Sequence, residues 1–481
     1  MDDATPKANF HKQAIVVIHG IGEQTPMETI TGFVRAVWQT DRRVTRNGMP
    51  RPAEVWSKPD RRTGSLELRR ITTRQSRPSA AFPDGVRSDF YELYWADLSA
   101  GSTLAQVETW LFGLLLRNPF TAVPPRVRLA WLLMWLVSLV VVVLAAAAAL
   151  PDIPRRWPPF SWIGGWPTWA LTLVTLVLAV FSSRLLLPYA GRVVRYTRAR
   201  PDNIAARAAI RERGLALLGA LHDRDYDRIV VVGHSLGTIL AYDLVSQFWA
   251  SRDAARTVAR DSDAFAALKS AETAVSDVEL RKPDAPARFD QARRALLARL
   301  RARPKPEQPG EPDKRWLISD LVTLGSPLTH AEFLMTSGRR DLRRRKETRE
   351  FPICPPVREV LDPKMVAAAQ AACMPLDDGK SRLMSFESAA DHWQLHHAAP
   401  FAVVKWTNIH DPSRFVLCGD LISGPLAPVF GPGVEDIDLA KLRGRSWRFT
   451  HTRYWTADKG KRGMAPLKAL RVALDLAGDR L

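Results

Sequence analysis

The stretch R-I-V-V-V-G-H-S-L-G-T-I-L-A-Y-D-L constrains the fold of this chain more than any other. Arg228 to Val232 puts three consecutive valines behind an isoleucine, the kind of run that parallel strands bury on both faces. Thr238 to Phe248 follows with helical spacing, which leaves only Gly233 to Gly237 to join the two elements. A buried strand that turns so quickly into a helix belongs to a sheet built from crossover units. Ala14 to Ile18, A-I-V-V-I, repeats the pattern and leads to a helix over Met27 to Trp38. Asp89 to Trp95, Leu317 to Leu324 and Phe401 to Trp406 read as further strands, and Ala205 to Leu221 as a helix. The alternation predicts an α/β fold, a doubly wound and mostly parallel sheet flanked by helices.

Composition narrows the class. Of 481 residues, 46% are hydrophobic and 25% charged, which excludes a mainly disordered chain and a many-span transporter. The three cysteines, Cys354, Cys373 and Cys418, have no C-x-x-C spacing. That argues against a disulfide framework or a zinc ribbon and favours a reducing compartment.

Two uncharged runs, Leu129 to Leu150 and Ser161 to Ser183, would each reach roughly 33 Å as helices, enough to cross a hydrocarbon core of about 30 Å. Seven tryptophans, from Trp110 to Trp169, cluster around them, as at a membrane interface. The charged N-terminal segment lacks the apolar core of a signal peptide. Arg117, Arg126 and Arg128 precede the pair and Arg184, Arg192, Arg195, Arg198 and Arg200 follow it, whereas the connecting loop holds only Arg155 and Arg156. The bias predicts a two-span transmembrane hairpin with the rest of the chain on the cytoplasmic side. Leu104 to Leu116 reads either as an interfacial helix or as a simple helix before the first span.

The hairpin then divides the chain. Residues 1–116 form the first part of the core, 117–200 the hairpin and its flanks, and 201–250 the strand–turn–helix unit. Residues 251–315 are a charged helical insertion that could serve as a lid, and 316–481 complete the core. Within the last part, residues 331–400 read as irregular to helical and carry the basic run G-R-R-D-L-R-R-R-K.

The chemistry concentrates in glycine-flanked turns. Gly233-His234-Ser235-Leu236-Gly237 is G-x-S-x-G between a strand and a helix, a turn that lifts a serine hydroxyl clear of the sheet. A nucleophilic serine also needs donors for the oxyanion. The backbone N–H of Leu236 is one candidate, and that of Ile21 in His19-Gly20-Ile21-Gly22-Glu23-Gln24 is the other, with Gly20 and Gly22 allowing close approach.

H-G-I-G-E-Q, G-H-S-L-G and T-L-G-S-P-L at Thr323 to Leu328 together resemble the α/β-hydrolase superfamily, in particular its lipase- and esterase-like branch with membrane-associated members. The likeness covers the strand elements, about half the chain, and neither the hairpin nor the insertions. It implies serine-dependent acyl transfer without cofactor or metal, and the chain order serine, acid, histidine. That order points to His451 as base and to Asp420 in G-D-L-I-S-G-P-L as acid, with Asp411 as the alternative acid and Asp436 and Asp438 behind it. His392, His396 and His397 precede the acid, and His410 sits too close to it. The spacing of the first three would also suit a metal, but an exposed polar helix explains it more simply. His19 and His234 read as neighbours that hydrogen-bond within their motifs.

The net charge of +19 comes with no nucleic-acid recognition pattern. The arginines beside the spans fit an anionic leaflet, and those of the second basic run fit either a leaflet or a solvated face. The combined expectation is a membrane-anchored serine hydrolase of lipid or lipophilic esters. The alternatives are a thioesterase or acyltransferase with the same residues, and a catalytically silent scaffold.

Overall fold

The structure, a computed structural model, describes residues 11–480 except 21–24, 46–53, 64–66, 100–117, 119, 121–122, 124, 126–127, 150–166, 182–200, 280, 306–310, 312, 377–380, 413–417 and 457–462. Eight strands make one sheet: β1 (Lys12–Ile18), β2 (Val55–Pro59), β3 (Arg69–Gln75), β4 (Arg87–Leu93), β5 (Arg228–His234), β6 (Ile318–Leu324), β7 (Lys405–His410) and β8 (Glu435–Asp438). Their order is β8-β7-β6-β5-β1-β4-β3-β2, parallel from β8 to β4, with β3 and β2 added antiparallel at one edge. Strands from residues 1–116, 201–250 and 316–481 thus share one sheet.

Side-chain alternation assigns the two faces. Ala14, Val16 and Ile18 join the core on one side, with α4 (Pro201–His222) and α5 (Gly237–Ala250). Ile15 and Val17 join the other, with α1 (Glu28–Val34) and α9 (Ala465–Leu474). In the insertion, α6 (Asp263–Glu279) and α7 (Ala285–Arg301) bury Phe265, Leu268, Phe289 and Leu296 in the first of these clusters, as a layer of the core. The one long charged side chain within β5, Arg228, is buried but satisfied. It donates to Ser319 Oγ at 2.8 Å and to Asp320 Oδ2 at 2.6 Å.

The two uncharged runs form α2 (Arg128–Ala149) and α3 (Thr168–Phe181), which pack on each other. Among the described residues no helix is long and apolar enough to cross a membrane, so the transmembrane hairpin expected from the sequence finds no support. Within the second run the described helix covers Thr168–Phe181, 14 residues or about 21 Å at the rise of an α-helix. The loop between the runs, the arginine flank after them and Leu104 to Leu116 lie outside the described residues.

Other boundaries moved for identifiable reasons. Pro400–Ala402 forms a 3-10 turn, so the strand expected over Phe401 to Trp406 starts at Lys405. The helix expected over Met27 to Trp38 is α-helical only to Val34 and continues as a π-turn over Arg35–Gln39. His392–Leu395 is a strand, not a polar helix, in a small antiparallel sheet with Ser385–Ala389 and Thr257–Ala259.

Candidate active site

Carboxyl ends of parallel strands gather the site, as open α/β sheets do. β5 ends at His234 and α5 begins at Gly237, so Ser235 occupies the bend with φ +53°, a left-handed conformation unusual for a serine. The bend is pinned from both sides: Ser235 N–H donates to Leu324 O at 2.9 Å and Thr238 N–H donates to Ser235 O at 3.0 Å. Glycine is required here by close approach. A Cβ on Gly237 would lie 2.4 Å from Ile18 O and His19 O, one on Gly233 2.6 Å from Thr238 Cα, and one on Gly20 2.7 Å from Ser235 Cβ. The H-G and G-H-S-L-G motifs are therefore in direct contact across β1 and β5.

His451 reaches this bend from a turn 216 residues further along the chain, with Nε2 2.8 Å from Ser235 Oγ. Its Nδ1 lies 3.0 Å from Asp420 Oδ2. With the carboxylate as acceptor, Nδ1 carries the proton and Nε2 is left to accept from the serine. Asp420 is fully buried and held at both oxygens. Oδ1 accepts from Ile422 N–H at 3.0 Å and from Ser423 N–H at 3.3 Å, and Oδ2 accepts from Tyr454 O–H at 2.6 Å. Burial works to raise its pKa, but the hydrogen bonds from His451, Tyr454 and Ser423 outweigh burial and hold the carboxyl below its ordinary value. Gly325, at the end of β6 with φ +61°, floors the pair: a Cβ there would sit 3.1 Å from Asp420 Oδ2 and 3.2 Å from His451 Nδ1.

Asp411 does not touch His451. Its Oδ2 accepts from Thr450 Oγ1 at 2.5 Å and from Arg443 at 2.7 Å, so it anchors the residue before the histidine. Burial pushes its pKa up against those two partners. Asp436 accepts from Asn408, Leu426 N–H and Ala427 N–H, and Asp438 caps the helix Leu439–Arg443. His396, bonded to Val357 O at 2.8 Å, is kept below its ordinary pKa at about 4 by burial. Among the described residues no group of three or more His, Cys, Asp or Glu side chains is placed to hold a metal ion.

Leu236 stands at the N-terminus of α5, where backbone N–H groups lack intrahelical acceptors. Ile21 and Gly22 lie outside the described residues. The motif histidines are positioning groups. His234 Nε2 donates to His451 O at 2.8 Å, and burial, then the nearby charge of His451, lowers its pKa to about 3. His19 accepts at Nε2 from Trp95 N–H, 3.2 Å, and so donates from Nδ1 to Gly20 O, 2.8 Å, while its ring stacks on Trp95. Sequence reasoning missed Tyr454, whose signal is an aromatic hydroxyl three residues after the histidine in H-T-R-Y-W.

The chain matches no protein-family model, no curated protein and no solved structure.

Proposed function

We propose that this protein is a serine hydrolase of the α/β-hydrolase type, which cleaves carboxylic esters through an acyl-enzyme. The observation that carries the reading is the continuous hydrogen-bonded chain from Ser235 Oγ through His451 to Asp420, at 2.8 and 3.0 Å. His451 Nε2 takes the serine proton as Oγ attacks the ester carbonyl, and Asp420 orients and stabilises the imidazolium. The tetrahedral oxygen would lie against the Leu236 N–H at the N terminus of α5, the second donor being the Ile21 N–H expected from the sequence alone. His451 then hands its proton to the departing alcohol. Water enters, loses a proton to the same nitrogen and releases the acid, leaving the serine as it began.

The substrate in this reading is a lipid or lipophilic ester. Its support is the surface of α2 and α3: Leu129, Leu132, Leu136 and Leu139 on one helix and Leu173, Leu176 and Val177 on the other are more than half exposed. Isolated exposed leucines are ordinary, but a contiguous apolar face marks a contact with lipid or protein. The helices would attach the enzyme to a bilayer, with the flanking arginines toward the anionic cytoplasmic leaflet.

A fluorophosphonate probe tests the chemistry. The wild-type protein is expected to label and Ser235→Ala is not. Folded wild-type protein that resists labelling would leave only the scaffold. Product analysis with an ester, a thioester and an acceptor alcohol separates hydrolysis from thioester cleavage and acyl transfer.

A further inference from the structure

The basic run of the sequence forms α8 (Arg339–Glu347), and its faces differ. Arg344 and Arg345 pair with Asp341, and Arg345 also with Glu350. Arg339, Arg343 and Lys346, spaced i, i+4 and i+7 along the helix, instead line a cavity of about 500 Å³. The cavity faces cations on one side and Thr329, His330 and Pro425 on the other.

Both segments of that opposite wall begin at the candidate triad. One runs from Gly325, under His451 and Asp420, through Ser326 to Thr329 and His330. The other runs from Asp420 to Pro425, and the two are tied by His330 Nε2 to Leu421 O at 3.2 Å and Thr329 Oγ1 to Pro425 O at 3.2 Å. Pro125, three residues before α2, completes the rim.

The charges do not cancel inside. Glu332, the single carboxylate among the lining residues, is engaged by Arg339 at 3.0 Å. Lys346 donates to Val429 O at 2.5 Å, and Arg343 has no hydrogen-bond or ion-pair partner among the described residues. Burial, then the neighbouring charge of Arg343, depresses the Lys346 pKa while Glu332 opposes the shift. Two cations thus face one space without an anion between them. That is the arrangement a phosphate satisfies, because its oxygens accept from several donors at once.

We propose that this cavity is a phosphate-binding subsite, which holds the phosphate head group of the ester substrate while the acyl carbonyl lies at Ser235. The proposal deepens the ester-hydrolase reading and rests on it for the fate of the bound molecule. Binding itself does not depend on catalysis.

The test is calorimetric titration of Ser235→Ala protein with dihexanoyl phosphatidate, dihexanoyl phosphatidylcholine, dihexanoylglycerol and inorganic phosphate. Dihexanoyl phosphatidate is expected to bind, dihexanoylglycerol much more weakly. Adding Arg343→Glu is expected to weaken phosphatidate binding about tenfold or more, since it replaces an attraction by a repulsion. Adding Arg344→Glu, on the paired face of the same helix, should leave it unchanged and so controls for folding and net charge. Phosphatidate binding well above that of inorganic phosphate identifies a lipid head group, and equal affinities identify free phosphate as the occupant. Phosphatidate affinity that is no greater than that of dihexanoylglycerol, or that survives Arg343→Glu, overturns the subsite. Loss of labelling chemistry at Ser235 would instead overturn the hydrolase and leave these affinities standing.

Discussion

Replacing Asp420 by Asn separates the two acids and uses every contact around the carboxylate. Its two oxygens accept four hydrogen bonds, two backbone N–H groups at Oδ1, and His451 Nδ1 and Tyr454 O–H at Oδ2. An asparagine keeps one acceptor oxygen, which Ile422 N–H and Ser423 N–H will claim because their backbone cannot turn away. The amide NH2 then faces His451 Nδ1, so the imidazole must present a lone pair there and carry its proton on Nε2. In that tautomer Nε2 donates to Ser235 Oγ and cannot take its proton. Loss of a triad acid through the wrong tautomer costs about 10⁴-fold in kcat, roughly 5.4 kcal/mol in the barrier. Asp411→Asn meets a different environment, because Thr450 Oγ1 can still donate to the amide oxygen while the Arg443 pair is weakened. Its cost falls mainly on stability, about 1–3 kcal/mol, with kcat within about tenfold. The assay is hydrolysis of a short p-nitrophenyl ester, normalised to folded protein. Near-normal turnover in Asp420→Asn, or a larger loss in Asp411→Asn, would refute the assignment of the acid.

Three further outcomes follow from the same geometry. Gly20→Ala places a methyl 2.7 Å from Ser235 Cβ and 3.3 Å from its Oγ, so kcat should fall more than tenfold with a shift in urea midpoint too small to account for it; unchanged kcat would mean that the two turns are not in contact. Tyr454→Phe removes the 2.6 Å bond to Asp420 while leaving His451 in place, and should lower stability by about 1.5–3 kcal/mol yet spare most of kcat; a loss as large as that of Asp420→Asn would make Tyr454 part of the reacting chain. Glu272, buried and accepting from Met384 N–H and Ser385 Oγ, has its pKa pushed up to about 7, chiefly by burial. The folded state therefore keeps a proton that the unfolded chain loses above about pH 4.5, so its contribution is full below that pH and is lost as pH climbs to about 7. Glu272→Gln cannot lose it, and its stability relative to wild type should improve by on the order of 3 kcal/mol between pH 4.5 and 7.5; a constant gap in urea unfolding would contradict the shift.

Much of this protein was legible from local pattern. A-I-V-V-I and R-I-V-V-V are strands because such β-branched runs suit burial on both faces, and the mostly apolar L-I-S-D-L-V-T-L pairs beside them. The turn at Ser235 was legible because five residues between a strand and a helix leave one conformational solution, and glycines at Gly233 and Gly237 permit it. The edge strands β2 and β8, and β3 beside β2, escaped, since Arg69–Gln75 and Glu435–Asp438 are polar and their pairing is supplied by neighbours. The uncharged runs marked two helices, Arg128–Ala149 and Thr168–Phe181, and among the described residues neither is long and apolar enough to support a span.

What only the tertiary structure decided is which distant groups meet. Asp411 and Asp420 both follow the same strand, both are buried, and they lie 40 and 31 residues before His451, so local sequence alone leaves both within reach of the imidazole. The fold separates them by carrying Thr450 to one and His451 to the other, so that one acid anchors the loop and the other faces the imidazole. Likewise nothing in R-R-D-L-R-R-R-K says which arginines are paired and which face a cavity. Helical phase and the position of Asp341 and Glu332 settle that. Local sequence dictates backbone form because its causes are steric and act between neighbours; the partners of a side chain depend on where segments hundreds of residues apart come to rest.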